Sequence, residues 1–320
     1  CMPHYYRVTN RHGQGAETIM RAEALFYQGH VIDAHIELER AYAQVGGNGQ
    51  INMALCCDFL SWRLSLHTDV ERRYTFSERY AALLRYHDAS WINIWSATSA
   101  YYHALRGETD KIPEIFSQHR LSDIHLLAPG KPMMEMIENQ VYLAQGAYAK
   151  VVGRSAELLA VCEAMHYALV ALHIRIQTAA AYARLGKPET AHTWLQKALS
   201  DAGPDGLVMP FAENYSLLKP LLARETRSAF AARITALGEA AQARGAERLR
   251  PAAFRALTAR EFEIVELMVQ RLSNREIAQK CYLSEGSVKQ YVNQIYSKLH
   301  IEGDTRTKRA QLAALLHEKT

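Results

Sequence analysis

Four stretches of this chain share one internal spacing. In "LFYQGHVIDAHIELERAYA", Gly29 is followed by Ala34 five residues on and by Ala41 seven further. "YARLGKPETAHTWLQKAL" repeats the interval with Gly186, Ala191 and Ala198. "YLAQGAYAKVVGRSAELLA" keeps it with Gly146, Val151 and Leu158, and "ALRGETDKIPEIFSQH" with Gly107 and Ile112, its last position being weaker. A unit of about 39 residues connects these glycines if one degenerate turn falls near Thr68-Asp69.

From about Ala16 to Ala243 apolar residues recur at three- and four-residue spacing, and no strand alternation interrupts them. Breakers fall at Gly46-Gly47, Pro113, Pro129-Gly130, Gly203-Pro204 and Pro210. The pattern predicts stacked helical hairpins. Glycine turns the chain because it tolerates positive φ at a helix end, and the small residue after it lets the second helix pack closely. One hairpin cannot bury its apolar face alone, so neighbours stack into a right-handed superhelix with a concave inner face. The spacing resembles that of tetratricopeptide repeats, with a longer period than the standard one. An irregular helical bundle is the alternative. The fold class expected is all-α. Residues 1–223 form the repeat domain, 224–250 a terminal helix and hinge, and 251–320 a second domain.

The chain is 49% apolar and 22% charged, which is the globular range. Its net charge of +4 is too small to argue for nucleic acid unless it is clustered. Residues 251–320 hold eleven Lys/Arg against eight Asp/Glu, so most of the excess lies there. Five cysteines, Cys56 and Cys57 adjacent and none in a C-x-x-C, point to reduced thiols in a cytoplasmic protein, without disulfides or a zinc site. No apolar run reaches membrane-spanning length, so no membrane partner is expected.

The second domain announces its helices by their caps. "TARE" (258–261) and "SNRE" (273–276) are capping boxes, and Ser284 is the N-cap of a helix running to Leu299. Three helices in so short a span, with "CYL" alone between the last two, describe a helix-turn-helix. On the third helix Val288, Val292, Ile295 and Leu299 form one apolar stripe, widened by Tyr291 and Tyr296. It is expected to face Ile264, Val265, Leu267, Met268, Leu272 and Ile277. Outward remain Ser287, Lys289, Gln290, Asn293, Gln294 and Ser297, with no acidic residue after Glu285. A cation, amides and hydroxyls without carboxylates are the groups that bond to base edges and phosphates.

"LTAREFEIVELMVQRLSNREIAQKCYLSEGSVKQYVNQIYSKLHI" resembles the LuxR-type (GerE) DNA-binding domain. That pattern has L-T-x-R-E, S-N-x-E-I-A, S-x-x-T/S-V-K and I-x-x-K-L, and all four pieces occur here in order. Two positions depart from it: Arg271 stands where Gly is usual, and Tyr291 where His is common. The resemblance implies that Lys289, Gln290 and Asn293 read bases, while Arg275, Ser287, Lys298 and Arg306 contact phosphates. It implies that a last helix near 307–317 pairs two copies as a homodimer on double-stranded promoter DNA, with RNA polymerase as a further partner.

A helical superhelix before such a head resembles the C-terminal part of large ATP-dependent regulators of the MalT type. In these a nucleotide-binding module comes first and the superhelix binds a small-molecule inducer or a regulatory protein. This chain has no G-x-x-x-x-G-K-[ST], and "PGK" at 129–131 reads as a turn. No cofactor is expected within it. Because Cys1 precedes Met2, an ATP-binding domain upstream is the expectation, and a smaller relative without one is the alternative. The concave face is the expected effector site, with Trp91, Trp95, Tyr101 and Tyr102 in "SWINIWSATSAYYHAL" as its surface. No catalytic motif occurs, so no enzyme is expected. The chain therefore reads as a bacterial transcription regulator, an activator under effector control. The alternative is an interaction scaffold whose C-terminal domain is mainly structural.

Overall fold

The computed structural model describes residues 13–45, 50–69, 74–86, 89–124, 130–225 and 227–317. Gly46-Gly47 and Pro129, expected as breakers, lie outside them. Among the described residues the chain is helical, with no strand. It divides into two compact units, residues 1–241 and 242–320. The division falls inside the helix Ala229–Leu249 (α13), which occupies most of the segment expected as terminal helix and hinge.

The first unit opens with α1 (Ala16–Tyr27), α2 (Val31–Val45), α3 (Ile51–Leu64), α4 (Phe76–Leu83) and α5 (Ala89–Leu105). The single turn α6 (Glu114–Ser117) precedes α7 (Lys131–Ala144), α8 (Tyr148–Ala164), α9 (Ala168–Arg184) and α10 (Pro188–Ala202). Two short helices follow, α11 (Met209–Glu213) and α12 (Tyr215–Leu222), and then α13.

The expected glycine turns are present. Gly29, Gly107, Gly146 and Gly186 all have φ between 70° and 82°. At each, the glycine N–H and the next N–H fold back onto carbonyls of the last helical turn, as in Gly29 N to Phe26 O and His30 N to Leu25 O. Five and twelve residues after Gly29 and Gly186 stand Ala34, Ala41, Ala191 and Ala198, all fully buried. Val151 and Leu158 take the equivalent places after Gly146 and are buried too.

A second period underlies the core. Tyr27, Arg63, Tyr101, Gln140 and Gln177 follow one another at 36 to 39 residues, one on each of α1, α3, α5, α7 and α9. All five are buried, and they converge on Glu213-Asn214, between α11 and α12. Arg63 grips the buried Glu213 carboxylate through Nε (2.7 Å) and Nη2 (2.9 Å), and its Nη1 donates to the Tyr27 hydroxyl (2.9 Å). The Tyr101 hydroxyl donates to Glu213 (3.1 Å). Gln140 Nε2 donates to Asn214 Oδ1 and Gln177 Nε2 to Gln140 Oε1, both at 3.0 Å. The Arg63 guanidinium also stacks over the Phe26, Tyr27 and Phe59 rings. A buried charge is tolerable only when paired and hydrogen-bonded on every side, and this one is.

This arrangement takes Tyr101 and Tyr102 out of the expected effector surface. The helix faces read as a concave wall are covered by α11 and α12, whose Met209, Phe211 and Leu218 are fully buried. Tyr101 and Tyr102 are core residues, 1% and 5% exposed. Tyr102 packs edge-on against Trp62 and Phe76. Trp91 and Trp95 are half-buried, and Trp95 Nε1 donates to Phe76 O (3.1 Å).

The turns separate two costs. A methyl at Gly186 would meet open space, so Gly186→Ala should lose only the left-handed backbone term, about 1–2 kcal/mol. At Gly29 the added Cβ would also press Val208 and Leu237 at 2.8 and 2.9 Å, so Gly29→Ala should lose about 1–3 kcal/mol more. Urea unfolding followed by tryptophan fluorescence checks this, because all four tryptophans lie in the first unit.

The cluster also titrates. Burial, with the Arg63 charge beside it, pushes the buried His173 down to about 4, against which Glu213 acts only weakly. A histidine held neutral stabilises the fold fully above its unfolded pKa near 6.5, and that stability is lost as pH falls from there toward 4. The first unit should therefore lose about 2–3 kcal/mol between pH 7 and pH 4 through His173. His173→Gln should flatten that slope in unfolding curves recorded across the range.

Candidate nucleic-acid interface

The second unit is built from α14 (Ala259–Val269), α15 (Asn274–Cys281), α16 (Glu285–Lys298) and α17 (Thr305–His317). Both expected capping boxes form. Thr258 and Ser273 each accept the N–H of the glutamate three residues on, and Glu261 and Glu276 return a carboxylate to the cap N–H. Ser284 caps α16 through the Ser287 N–H (3.0 Å).

The core closes as the apolar pattern requires. Val288 and Ile295 are fully buried, Tyr296 nearly so, and Val292, Tyr291 and Leu299 are half-buried. They share one cluster with Ile264, Val265, Met268, Ile277, Leu267 and Leu272. Lys289, Gln290, Asn293, Gln294 and Ser297 are all exposed, and the helix carries no acidic side chain after Glu285. One helix thus supplies both the packing stripe and an uninterrupted polar face.

Two cationic residues from α14 and α16 do other work. Lys298, expected as a phosphate contact, is tied to α14 in the free chain: its Nζ meets Glu261 Oε2 at 2.8 Å, and that carboxylate is 3% exposed. Burial pushes the Glu261 carboxyl up, and the Lys298 ammonium with the Thr258 donors more than reverses this, leaving it below the usual range. The pair clamps the C-terminal end of α16 to the start of α14. Arg260, a residue outside the expected contacts, donates to the Cys281 carbonyl at the end of α15 and pairs with Glu263 (2.6 Å). Its signal was available in the L-T-x-R-E motif, whose Arg is the one charged side chain there without a capping role.

The other expected phosphate contacts are placed as follows. Arg275 is exposed in the first turn of α15. Ser287 is half-buried, its hydroxyl 2.8 Å from that of Ser284. Arg306 lies in the first turn of α17, and its side chain falls outside those described.

Residues 255–310 match the family model described as bacterial regulatory proteins, luxR family (GerE). This segment is a luxR-family domain. Over 50 residues the chain is 44% identical to the transcriptional regulatory protein LnrK of Bacillus subtilis (strain 168). That match covers 16% of this chain and 23% of LnrK, so the chain spans about a quarter of that relative's length. No solved structure matches significantly.

Within the luxR-family domain three helices end on a non-glycine residue in the left-handed region: Arg271 (φ 65°), Tyr282 (54°) and His300 (53°). Each closes its turn as the glycines of the first unit do, with the next residue, Leu272, Leu283 or Ile301, folded back onto the helix. A side chain at such φ costs about 1–2 kcal/mol. Arg271→Gly should therefore stabilise the domain by about 1 kcal/mol. Hydrogen exchange of amides 255–310 in the full chain should slow roughly fivefold.

Proposed function

We propose that this chain is a cytoplasmic transcription regulator that binds double-stranded promoter DNA through α16. The reading rests on one observation above others. A luxR-family domain presents Lys289, Gln290 and Asn293 on a face free of carboxylates. Lysine and amide side chains pair with the acceptor and donor edges of the major groove, where a carboxylate would be repelled by phosphate. Arg275 and the capped N-terminus of α16 serve as backbone anchors. LnrK is itself a transcriptional regulatory protein, which supports the same reading.

In this reading two copies pair through α17 on neighbouring half-sites and act on RNA polymerase. The first unit is the controlling element for an inducer or a regulatory protein. Its covered inner face moves the expected contact outward, to half-buried Trp91 and to Trp95, which stands against the 37% exposed Tyr80.

The test is binding of the full chain to a duplex that it selects from a random pool, read by fluorescence anisotropy over a salt series. Lys289→Ala with Asn293→Ala should remove preference for the selected duplex by about tenfold or more per side chain. Binding to random-sequence duplex should persist. If the double variant kept wild-type affinity and salt dependence, the scaffold reading would replace this one.

A further inference from the structure

Tyr282 combines two features that folding alone does not account for. It sits at φ 54°, in the left-handed region, and its side chain is 95% exposed. Among the described residues it has no hydrogen-bond or ring partner. A bulky side chain at this φ destabilises the turn relative to glycine, and an exposed ring returns no burial energy. The turn itself closes through backbone groups, with Leu283 N donating to Ala278 O at 2.9 Å. The fold therefore gains nothing from this ring.

Its position supplies the reason. Tyr282 stands two residues before Ser284, the N-cap of α16. When a helix-turn-helix docks, the recognition helix enters the major groove with its N-terminal residues toward the bases. The turn before that helix then meets the groove edge, where phosphates run. Of the three strained helix ends in this unit, only this one lies there; Arg271 ends α14 and His300 follows the far end of α16. Tyrosine offers a hydroxyl donor on a rigid apolar body, and tyrosine hydroxyls belong to the usual phosphate-binding groups.

We propose that Tyr282 is a DNA-backbone contact, its hydroxyl donating to a phosphate oxygen at the edge of the groove that α16 enters. The assignment rests on the DNA-binding reading above. Strain at the turn is then spent on holding the ring clear of the domain.

The experiment uses the full chain with two duplexes, one selected by the wild type and one of random sequence. Tyr282→Phe removes the hydroxyl alone, and Tyr282→Gly removes the ring and the strain. Both should weaken both duplexes by similar factors of about tenfold, the size of a hydrogen bond to a charged group. Amide exchange in 255–310 should slow in the glycine variant, so its lost affinity cannot come from misfolding. The slope of log affinity against log salt should stay constant, since a phenol releases no counterion, whereas Arg275→Ala should lower it by about 0.9. Wild-type affinity in both variants would overturn the assignment while leaving the DNA reading intact. Loss confined to the selected duplex would overturn it in favour of base reading. A wild type that binds neither duplex would remove this proposal together with the function it rests on.

Discussion

Nine helices among the described residues stop on one left-handed residue, and the packing that follows depends on it. After α1, α7 and α9, as after α14 and α16, the same two backbone bonds fold the chain back onto the last helical turn. The first unit fills the left-handed position after α1, α5, α7 and α9 with glycine, which carries no Cβ penalty. Those turns leave the second helix of each pair starting at a fixed offset, so Ala34, Ala41, Ala191 and Ala198 fall on the packing seam. The apolar period is thus a consequence of the turn geometry, since moving the left-handed residue by one position would rotate the next helix by about 100°.

The stacked helices would still leave one face open, and Glu213 closes it. Side chains from α1, α3 and α5 bond around this carboxylate, directly or through Arg63, while α7 reaches its neighbour Asn214 and α9 joins through Gln140. Removing either charge would strand the other in a buried site, a loss of about 3–5 kcal/mol. The ion pair adds little net stability over an apolar filling, but it fixes which residues must meet. An apolar plug could slide along the wall; a bidentate Arg–carboxylate pair cannot. The result is a filled interior where an open repeat array would present a groove.

The parts legible in the sequence were those set by local chemistry. Capping boxes need only a hydroxyl and a glutamate three residues on, so Thr258, Glu261, Ser273 and Glu276 announced themselves. The α16 stripe needs only helical period, so the sequence alone puts Val288 and Ile295 in the core, where both are fully buried. What escaped was long-range. Arg63 and Glu213 lie 150 residues apart, and nothing near either one marks it as paired. Aromatic density in 90–105 suggested a surface, yet density alone does not separate a ligand wall from a core, and Tyr101 and Tyr102 went inward. Lys298 was read by its charge and its place on α16. Its partner Glu261 is 37 residues away and already engaged in a cap, which hid the pair.

That pair shows how the second unit keeps its polar face available. A lysine at the end of α16 would extend the face if it stood free. Bound to Glu261, it instead joins a capping glutamate to the helix carrying Lys289, Gln290 and Asn293. Arg260 does the same from the other side, reaching the carbonyl of Cys281, where α15 ends and the turn into α16 begins. The C-terminal ends of α15 and α16 are therefore held by charges at the start of α14, and Ser284 caps the other end of α16. A helix capped at its start and tied at its end presents its middle side chains with less freedom left to lose, which is the condition under which a short polar face can discriminate among partners.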